Sequence, residues 1–521
     1  MTPRRKFWGW GYEGSGLDAN EFRGLAALLE AQLGVRAADP AEPPRVEELK
    51  LRPPRAAAPA TLESLCTDDP HERAGHAYGK SYRDLVRALR RDFPEPPDLV
   101  ALPESEQDVA AILDWCTGSR IAVVPYGGGS SVVGGVEPDV GDGFAGTVSL
   151  DLRRLGRVLH VDERSRAAEV EAGVLGPSLE EQLQPHGLTF RHFPQSFEFS
   201  TLGGWIATRS GGHYATGPTH VDEQVEALTV ITPAGALETR RLPAGGAGPA
   251  PERLFCGSEG ALGVITRAWI RLQERAAFRA GASVRFSSFE DAVEATRAIA
   301  RSSLRPANCR LLDRAEALLS GSGDGTSAIL VLGFESAARA VDAELAHAVE
   351  LCHAHAGAGH DDAAAATWRS AFLRLPYVYE GLVRMGMLAG SVETAVTWDR
   401  FEELHEGVTA ALEEAGRAAC GRVLVACRFA YVYPDGPAPY YTFVAPARAG
   451  AELEQWDAIK NAVSRAILDH GGTITHHHAV GRDHRPWYDE ERPELFAGAL
   501  RAVKRTLDPA GILNPGVLFD S

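Results

Sequence analysis

Cysteine is scarce in this 521-residue chain: there are seven, at 66, 116, 256, 309, 352, 420 and 427, with no C-x-x-C pair. That spacing gives no support to a zinc ribbon or a thioredoxin-type motif. An odd count with wide gaps fits a reducing, cytoplasmic setting. Long apolar runs are missing too. Nothing approaches the roughly 18 uninterrupted apolar residues of a membrane span. The basic start, Arg4-Arg5-Lys6-Phe7-Trp8, lacks the apolar stretch of a secretory leader. Positive charge is in deficit: 53 Lys and Arg against 70 Asp and Glu leave a net −17. That is the wrong sign for a protein that wraps nucleic acid. Internal repeats are absent, and Ala363–Ala366 is the one short low-complexity patch. What remains is ordinary globular composition, too long for one core, which rarely serves beyond about 250–300 residues.

Residues 36–60 are rich in Pro and Ala, and proline removes donors and fixes the backbone, so an extended connector is expected there. Residues 96–275 alternate short β-branched runs with turns: Ile121–Pro125, Thr147–Asp151 and Glu226–Thr232. From about 276 the pattern changes. Strands are expected at 282–286, 328–334, 422–433 and 439–446, and helices at 289–303, 337–355 and 451–469. This describes an antiparallel sheet covered by helices. The boundaries read as an N-terminal helical and extended segment (1–95), a first domain (96–275), a second domain (276–470) and a C-terminal segment (471–521) that returns to the first.

Three segments carry chemistry. Pro125-Tyr126-Gly127-Gly128-Gly129-Ser130-Ser131 follows the strand at 121–124 directly. Glycines let main-chain N–H groups converge on an anion, and the pattern is neither G-x-G-x-x-G nor G-x-x-x-x-G-K-[ST]. An ordinary glycine turn is the plain alternative. The second segment runs from His192 through Pro194, Ser196, Ser200, Thr201, Gly203, Gly204, Thr208 and Ser210 to Gly212. It combines hydroxyl donors with two glycine pairs, as a ligand wall does more readily than a polar loop. The third, Gly257-Ser-Glu259-Gly260-Ala-Leu-Gly263-Val264-Ile265, again leads from glycines into a β-branched run.

In this order and spacing the three segments resemble the FAD domain of the vanillyl-alcohol oxidase (PCMH-type) flavoproteins. Lys6-Phe-Trp-Gly-Trp-Gly11, Phe197–Trp205, His476-His477-His478-Ala-Val-Gly481 and Leu507–Gly516 narrow the likeness to the alkyldihydroxyacetonephosphate synthase branch, over nearly the whole chain. The resemblance implies an α+β fold: a two-subdomain FAD-binding domain and a cap domain, with the flavin ring between them. It implies an exchange of the acyl group of acyl-dihydroxyacetone phosphate for a fatty alcohol. An FAD-dependent dehydrogenase or oxidase of a 2-hydroxy acid or other alcohol is the second reading. A flavin-fold binding subunit without catalysis is the third. A small-molecule or lipid substrate, a homodimer and peripheral membrane contact go with the first. The synthase likeness also places His192 and Thr201 at the flavin, and the three segments above supply the remaining cofactor contacts. Flavoproteins that attach FAD through the glycine loop carry a histidine there, whereas this chain has Tyr126-Gly127-Gly128-Gly129-Ser130, so dissociable FAD is expected.

Read as a strand, Gly472–His478 puts Ile474, His476 and His478 on one face and Thr475 and His477 on the other. Neighbouring imidazoles depress one another's charging, so one can stay neutral and serve as a base. Zinc is the rival reading. Adjacent histidines on a strand cannot all face one ion, and no Cys or Asp pattern accompanies them, so no metal is expected. Arg310, in Cys309-Arg-Leu-Leu-Asp313, resembles the R-L-x-D element of the synthase cap. There it would stabilise negative oxygens, a surface ion pair being the plain alternative. Tyr440 and Tyr441 resemble the strand with an active-site tyrosine; alternation lets one face the flavin, and Tyr440 is the choice. One element departs from the synthases. Their P-Y-x-R-D motif, whose arginine goes with the substrate phosphate, corresponds to Pro376-Tyr-Val-Tyr379-Glu380. Tyr379 replaces the arginine, leaving Arg374 or Arg384 as substitutes.

Overall fold

The computed structural model describes residues 4–519 other than Ala215 and Asp362; the side chains of 361–373, and so the alanine patch, lie outside the described residues. Among the described residues the first domain has, besides a two-stranded ribbon of Leu188–Thr189 with Gln273–Glu274, two main sheets. In one, the parallel strands Ile121–Tyr126, Gly146–Asp151 and Leu99–Ala101 lie side by side, with the short antiparallel Cys66–Thr67 at the edge. Gly146–Asp151 is buried along its whole length, as a parallel strand covered on both faces must be. The helix Glu106–Ser119 covers this sheet with Val109, Ile112, Leu113 and Cys116. Ser105 caps it by accepting the Asp108 N–H at 3.1 Å. The other sheet is antiparallel, in the order Val158–Asp162, Ala167–Glu171, Val264–Arg271, Val225–Thr232, Gly235–Glu238.

The second domain is one antiparallel sheet of seven strands. Their order is Ala358–Asp361, Phe278–Phe286, Ala328–Ser336, Asn308–Leu312, Leu424–Val432, Pro437–Pro446, Met387–Glu393. The helices Phe289–Arg301 and Asp342–Ala354 pack on one part of it, and Phe401–Cys420 and Glu452–Asp469 on another. The first strand begins at Phe278, four residues before the expected start. Phe278 itself is 41% exposed, so the sequence there shows no apolar onset.

Two outlying segments complete the molecule. The helix Ala19–Leu33 has Asp18 as its cap in a capping box with Glu21, and packs Leu29 and Leu33 against Leu382, Met385 and Val444 of the second domain. The C-terminal segment returns to the first domain: the Val123 N–H donates to Ile512 O and the Asn514 N–H to Val123 O, both at 2.8 Å. Asn514 Nδ2 also donates to Glu259 O at 2.7 Å. Asn514 Nδ2 lies within reach of Gly135 O as well, at 3.1 Å, and the Lys80 N–H donates to Ser131 O, so the glycine-rich stretch after Tyr126 is anchored at both.

Candidate active site

A cavity of about 390 Å³ joins the two domains. Its first wall is the glycine-rich loop. A Cβ on Gly128 would stand 1.9 Å from Phe199 O and 2.7 Å from Ser200 Cα, and Gly129 has φ +66 with Tyr126 Oη where a Cβ would go. Only glycine fits either position. The N–H groups of Gly128, Gly129 and Ser130 have no acceptor among the described residues, which is the donor arrangement a pyrophosphate needs. Pro125 to Ser131, Pro194, Ser196, Ser200, Thr201, Gly203, Gly204, Thr208, Ser210, Glu259, Gly260, Gly263, Val264 and Ile265 all line the cavity. Thr201 starts the helix Leu202–Thr208, its Oγ1 accepting the Gly204 N–H. This constellation fits FAD.

His192 does not line the cavity. It is buried behind the wall, Nε2 2.8 Å from Ser210 Oγ, and burial pushes its imidazole down to about 3. Its part is to hold Ser210, which does line the cavity. Glu259 works similarly: its carboxylate accepts the N–H groups of Val480 and Gly481, both at 2.9 Å, and clamps the histidine segment to the first domain. Burial pushes this carboxyl up to about 7 against the pull of those two bonds.

The histidine segment is a turn, not a strand, so strand alternation does not apply. The reason is Glu393. This fully buried carboxylate accepts the main-chain N–H groups of His476, His477 and His478 and the hydroxyl of Thr475, and those bonds wrap the segment around it. Glu393 comes from the strand Met387–Glu393, where its register partner on the next strand is Tyr440; beyond that lies Arg428. Tyr440 donates to Glu393 and also touches His477 Nδ1. His477 Nδ1 lies 2.7 Å from Glu393 Oε2. Burial would push Glu393 up, but His477 and His478 outweigh it and hold the carboxyl well below its ordinary range. Burial pushes His476 down to about 3 and His478 down to about 4, so both are neutral near pH 7.

The three rings diverge. His477 and His478 line the cavity, whereas His476 turns away, Nε2 2.9 Å from Tyr433 Oη and its ring 4.6 Å from that of His220. Tyr440 is buried beneath His477 without lining the cavity, and Tyr441 lies on the opposite face against His405. Arg310 does not line the cavity either. Its guanidinium donates to His213 O at 2.8 Å, and burial pushes it down to about 10. Asp313 of the same element caps the helix Arg314–Leu319 and accepts the Cys427 N–H. Glu393, His477 and His478 place potential ligand atoms within 4.8 Å of one another. The sequence argument against a metal therefore missed a carboxylate 83 positions before His476. That carboxylate, however, already accepts five hydrogen bonds.

Neither expected substitute for the missing arginine reaches the cavity. Arg374 is exposed and pairs with Glu21, and Arg384 donates to Ala41 O. Glu380 holds the N-terminal motif instead, binding Lys6 at 2.9 Å and the Trp10 N–H at 2.8 Å. Tyr379 does line the cavity. Beyond it the wall turns aliphatic: Leu25, Leu28, Leu29 and Leu33 face Leu375, Val378, Leu382, Ala389, Leu424 and Val444. Sequence reasoning missed this arm, and also Glu393, Arg428, Lys80 and Lys460. Their charges are ordinary in a chain where 24% of residues are charged.

The fold and this site define an FAD-binding flavoenzyme. The model for the FAD binding domain matches residues 97–240, and that for FAD linked oxidases, C-terminal domain, matches 275–518. An alkyldihydroxyacetonephosphate synthase of Dictyostelium discoideum is 30% identical over 88% of this chain and 79% of its own length. That of Trypanosoma brucei brucei is 30% identical over 87% and 78%. A solved structure of an alkyldihydroxyacetonephosphate synthase superposes with a TM-score of 0.81 at 26% identity, covering 98% of both chains. The chain belongs to the alkyldihydroxyacetonephosphate synthase family of FAD-dependent enzymes.

Proposed function

We propose that this enzyme exchanges the acyl group of acyl-dihydroxyacetone phosphate for a fatty alcohol, giving an ether-linked product and a free fatty acid. The observation that carries this reading is the cavity's continuity. The glycine cradle, His477 and His478, and the aliphatic arm all line this one cavity. A small hydroxy acid has no use for that arm; an acyl or alkyl chain does.

When bound, FAD supplies the electron-accepting ring beside which the ester oxygen gives way to the ether oxygen. The loop from Gly127 to Ser131 would hold its pyrophosphate, and with no histidine in the loop to offer a covalent tether the cofactor would be dissociable. His477 takes the proton from the reacting carbon and later returns it. Glu393 fixes the orientation of that imidazole and stabilises it once charged, and Tyr440 completes the hydrogen-bonded triangle. His478, neutral and lining the cavity, stands beside it. The proton lost by the alcohol leaves with the fatty acid. Arg310 positions the His213 segment from behind. The aliphatic arm excludes water and takes the departing and incoming chains in turn. A homodimer and peripheral membrane contact accompany this reading, the latter because both chain-bearing substrates are amphiphilic. The exchange is tested by incubating the FAD-loaded enzyme with acyl-dihydroxyacetone phosphate and a fatty alcohol. Equal molar amounts of ether product and free fatty acid are expected by mass spectrometry. Free acid without ether would refute it.

A further inference from the structure

The chain is nearly lysine-free. It has five, Lys6, Lys50, Lys80, Lys460 and Lys504, and meets every other need for positive charge with arginine. Two of the five have buried or half-buried carboxylate partners: Lys6 with Glu380 and Lys504 with Asp508. Two others line the cavity, Lys80 and Lys460, and neither ammonium has a hydrogen-bond acceptor among the described residues. A cation held largely out of water at a cavity wall with no protein acceptor is costly to keep, and an anionic ligand relieves the cost.

The two lysines stand at different places. Lys80 adjoins the cofactor loop, its N–H donating to Ser131 O at 2.6 Å, and its charged neighbours are Asp84, Glu380, Arg5 and Lys6. Lys460, on the helix Glu452–Asp469, has Glu393, Asp483, His478 and His484 as its charged or titratable neighbours. It belongs to the reacting end. It also shares the cavity with Tyr379, the vacated arginine position, to which it is linked through Trp456 and Tyr82. The Tyr379 phenol abuts the main chain of Tyr82, the Tyr82 ring stacks on Trp456 at 4.9 Å, and the Lys460 ammonium lies 5.7 Å from the centre of the Trp456 ring.

We propose that Lys460 receives the phosphate of the substrate, supplying from the helix Glu452–Asp469 the positive charge that Tyr379 no longer provides. The assignment rests on the phosphate-ester reading above. A lysine is a compact charge with rotatable donors, so it can meet a phosphate as a point charge where an arginine would meet it through two parallel bonds. Burial lowers the Lys460 ammonium from its ordinary range, and a dianionic ester would restore it.

The test uses FAD-loaded wild type, Lys460→Gln, Lys460→Met, Lys460→Arg and Lys80→Gln. Binding of sn-glycerol 3-phosphate is followed by calorimetry. KM is compared for acyl-dihydroxyacetone phosphate and for its counterpart without the phosphate. Removing Lys460 is expected to weaken glycerol 3-phosphate binding and raise KM for the phosphate ester by about 30-fold or more. KM for the phosphate-free ester stays within about twofold, the flavin spectrum is unchanged, and Lys460→Arg restores most of the binding. Unchanged glycerol 3-phosphate affinity in Lys460→Gln and Lys460→Met overturns the proposal. So does loss in Lys80→Gln alone, or an equal loss for both esters. Lys460-dependent binding in a wild type that fails to turn over the ester would uphold the anion site and reject the synthase reaction.

Discussion

Glu393 gathers five hydrogen bonds, and four of them come from the segment that carries the histidines. Glu393→Gln keeps its shape but removes the charge and turns a donor toward N–H groups. We expect kcat to fall by about 10²-fold or more, with FAD still bound by its absorbance. A wild-type kcat in that variant would remove His477 from the role of base. Tyr440→Phe keeps the ring, so its loss is expected to be smaller in the same assay. The buried histidines give a second prediction. His192, His476 and His484 are pushed down to about 3 and His478 to about 4. Their folded values lie below the unfolded 6.5, so the unfolded chain binds more protons between those values. The stability they contribute is complete above pH 6.5 and is lost as pH falls toward 4. Because Glu259 and Asp313, both pushed up to about 7, shift stability the opposite way over this range, the test is a difference. His192→Gln is expected to reduce the change in urea-unfolding stability between pH 7.5 and pH 5 by about 2 kcal/mol, and an unchanged difference would mean that the ring is hydrated.

The glycine loop can be tested as an element. Gly128→Ala drives a methyl into the Phe199 carbonyl and the Ser200 Cα, both main chain, which cannot move aside as a side-chain tip can. The variant is expected to purify without the yellow cofactor while retaining its far-ultraviolet circular dichroism. Full FAD content would show that the loop yields. This element was readable in the sequence because glycine clusters after a β-branched run serve few purposes. The histidine turn was visible as residues but not as a shape. Its backbone is set by Glu393, and no local propensity at 472–478 reports a partner on a distant strand. Arg310 was visible as a motif, yet burial beside His213 takes it behind the cavity rather than into it. In the second domain four of the seven strands and three helices were legible from periodicity to within about five residues. The strands Asn308–Leu312, Ala358–Asp361 and Met387–Glu393 and the helix Phe401–Cys420 were not expected, so the strand that carries Glu393 was missed.

At the scale of the molecule, FAD as the cofactor follows from the order and spacing of the three glycine-bearing segments along the chain. The aliphatic arm does not. It is assembled from a helix at 19–33, another at 363–384 and strands 387–446, and only tertiary packing brings them together. The same holds for Lys460 and the vacated arginine position. The central claim is that the reaction neither gains nor loses electrons overall. It is tested most directly by anaerobic turnover, with acyl-dihydroxyacetone phosphate and fatty alcohol in large excess over bound FAD and no electron acceptor present. Ether product accumulating far beyond one equivalent per FAD, with the flavin oxidised at the end, is the expected result. Turnover halting at one equivalent with the flavin bleached would make the enzyme a dehydrogenase and contradict the exchange.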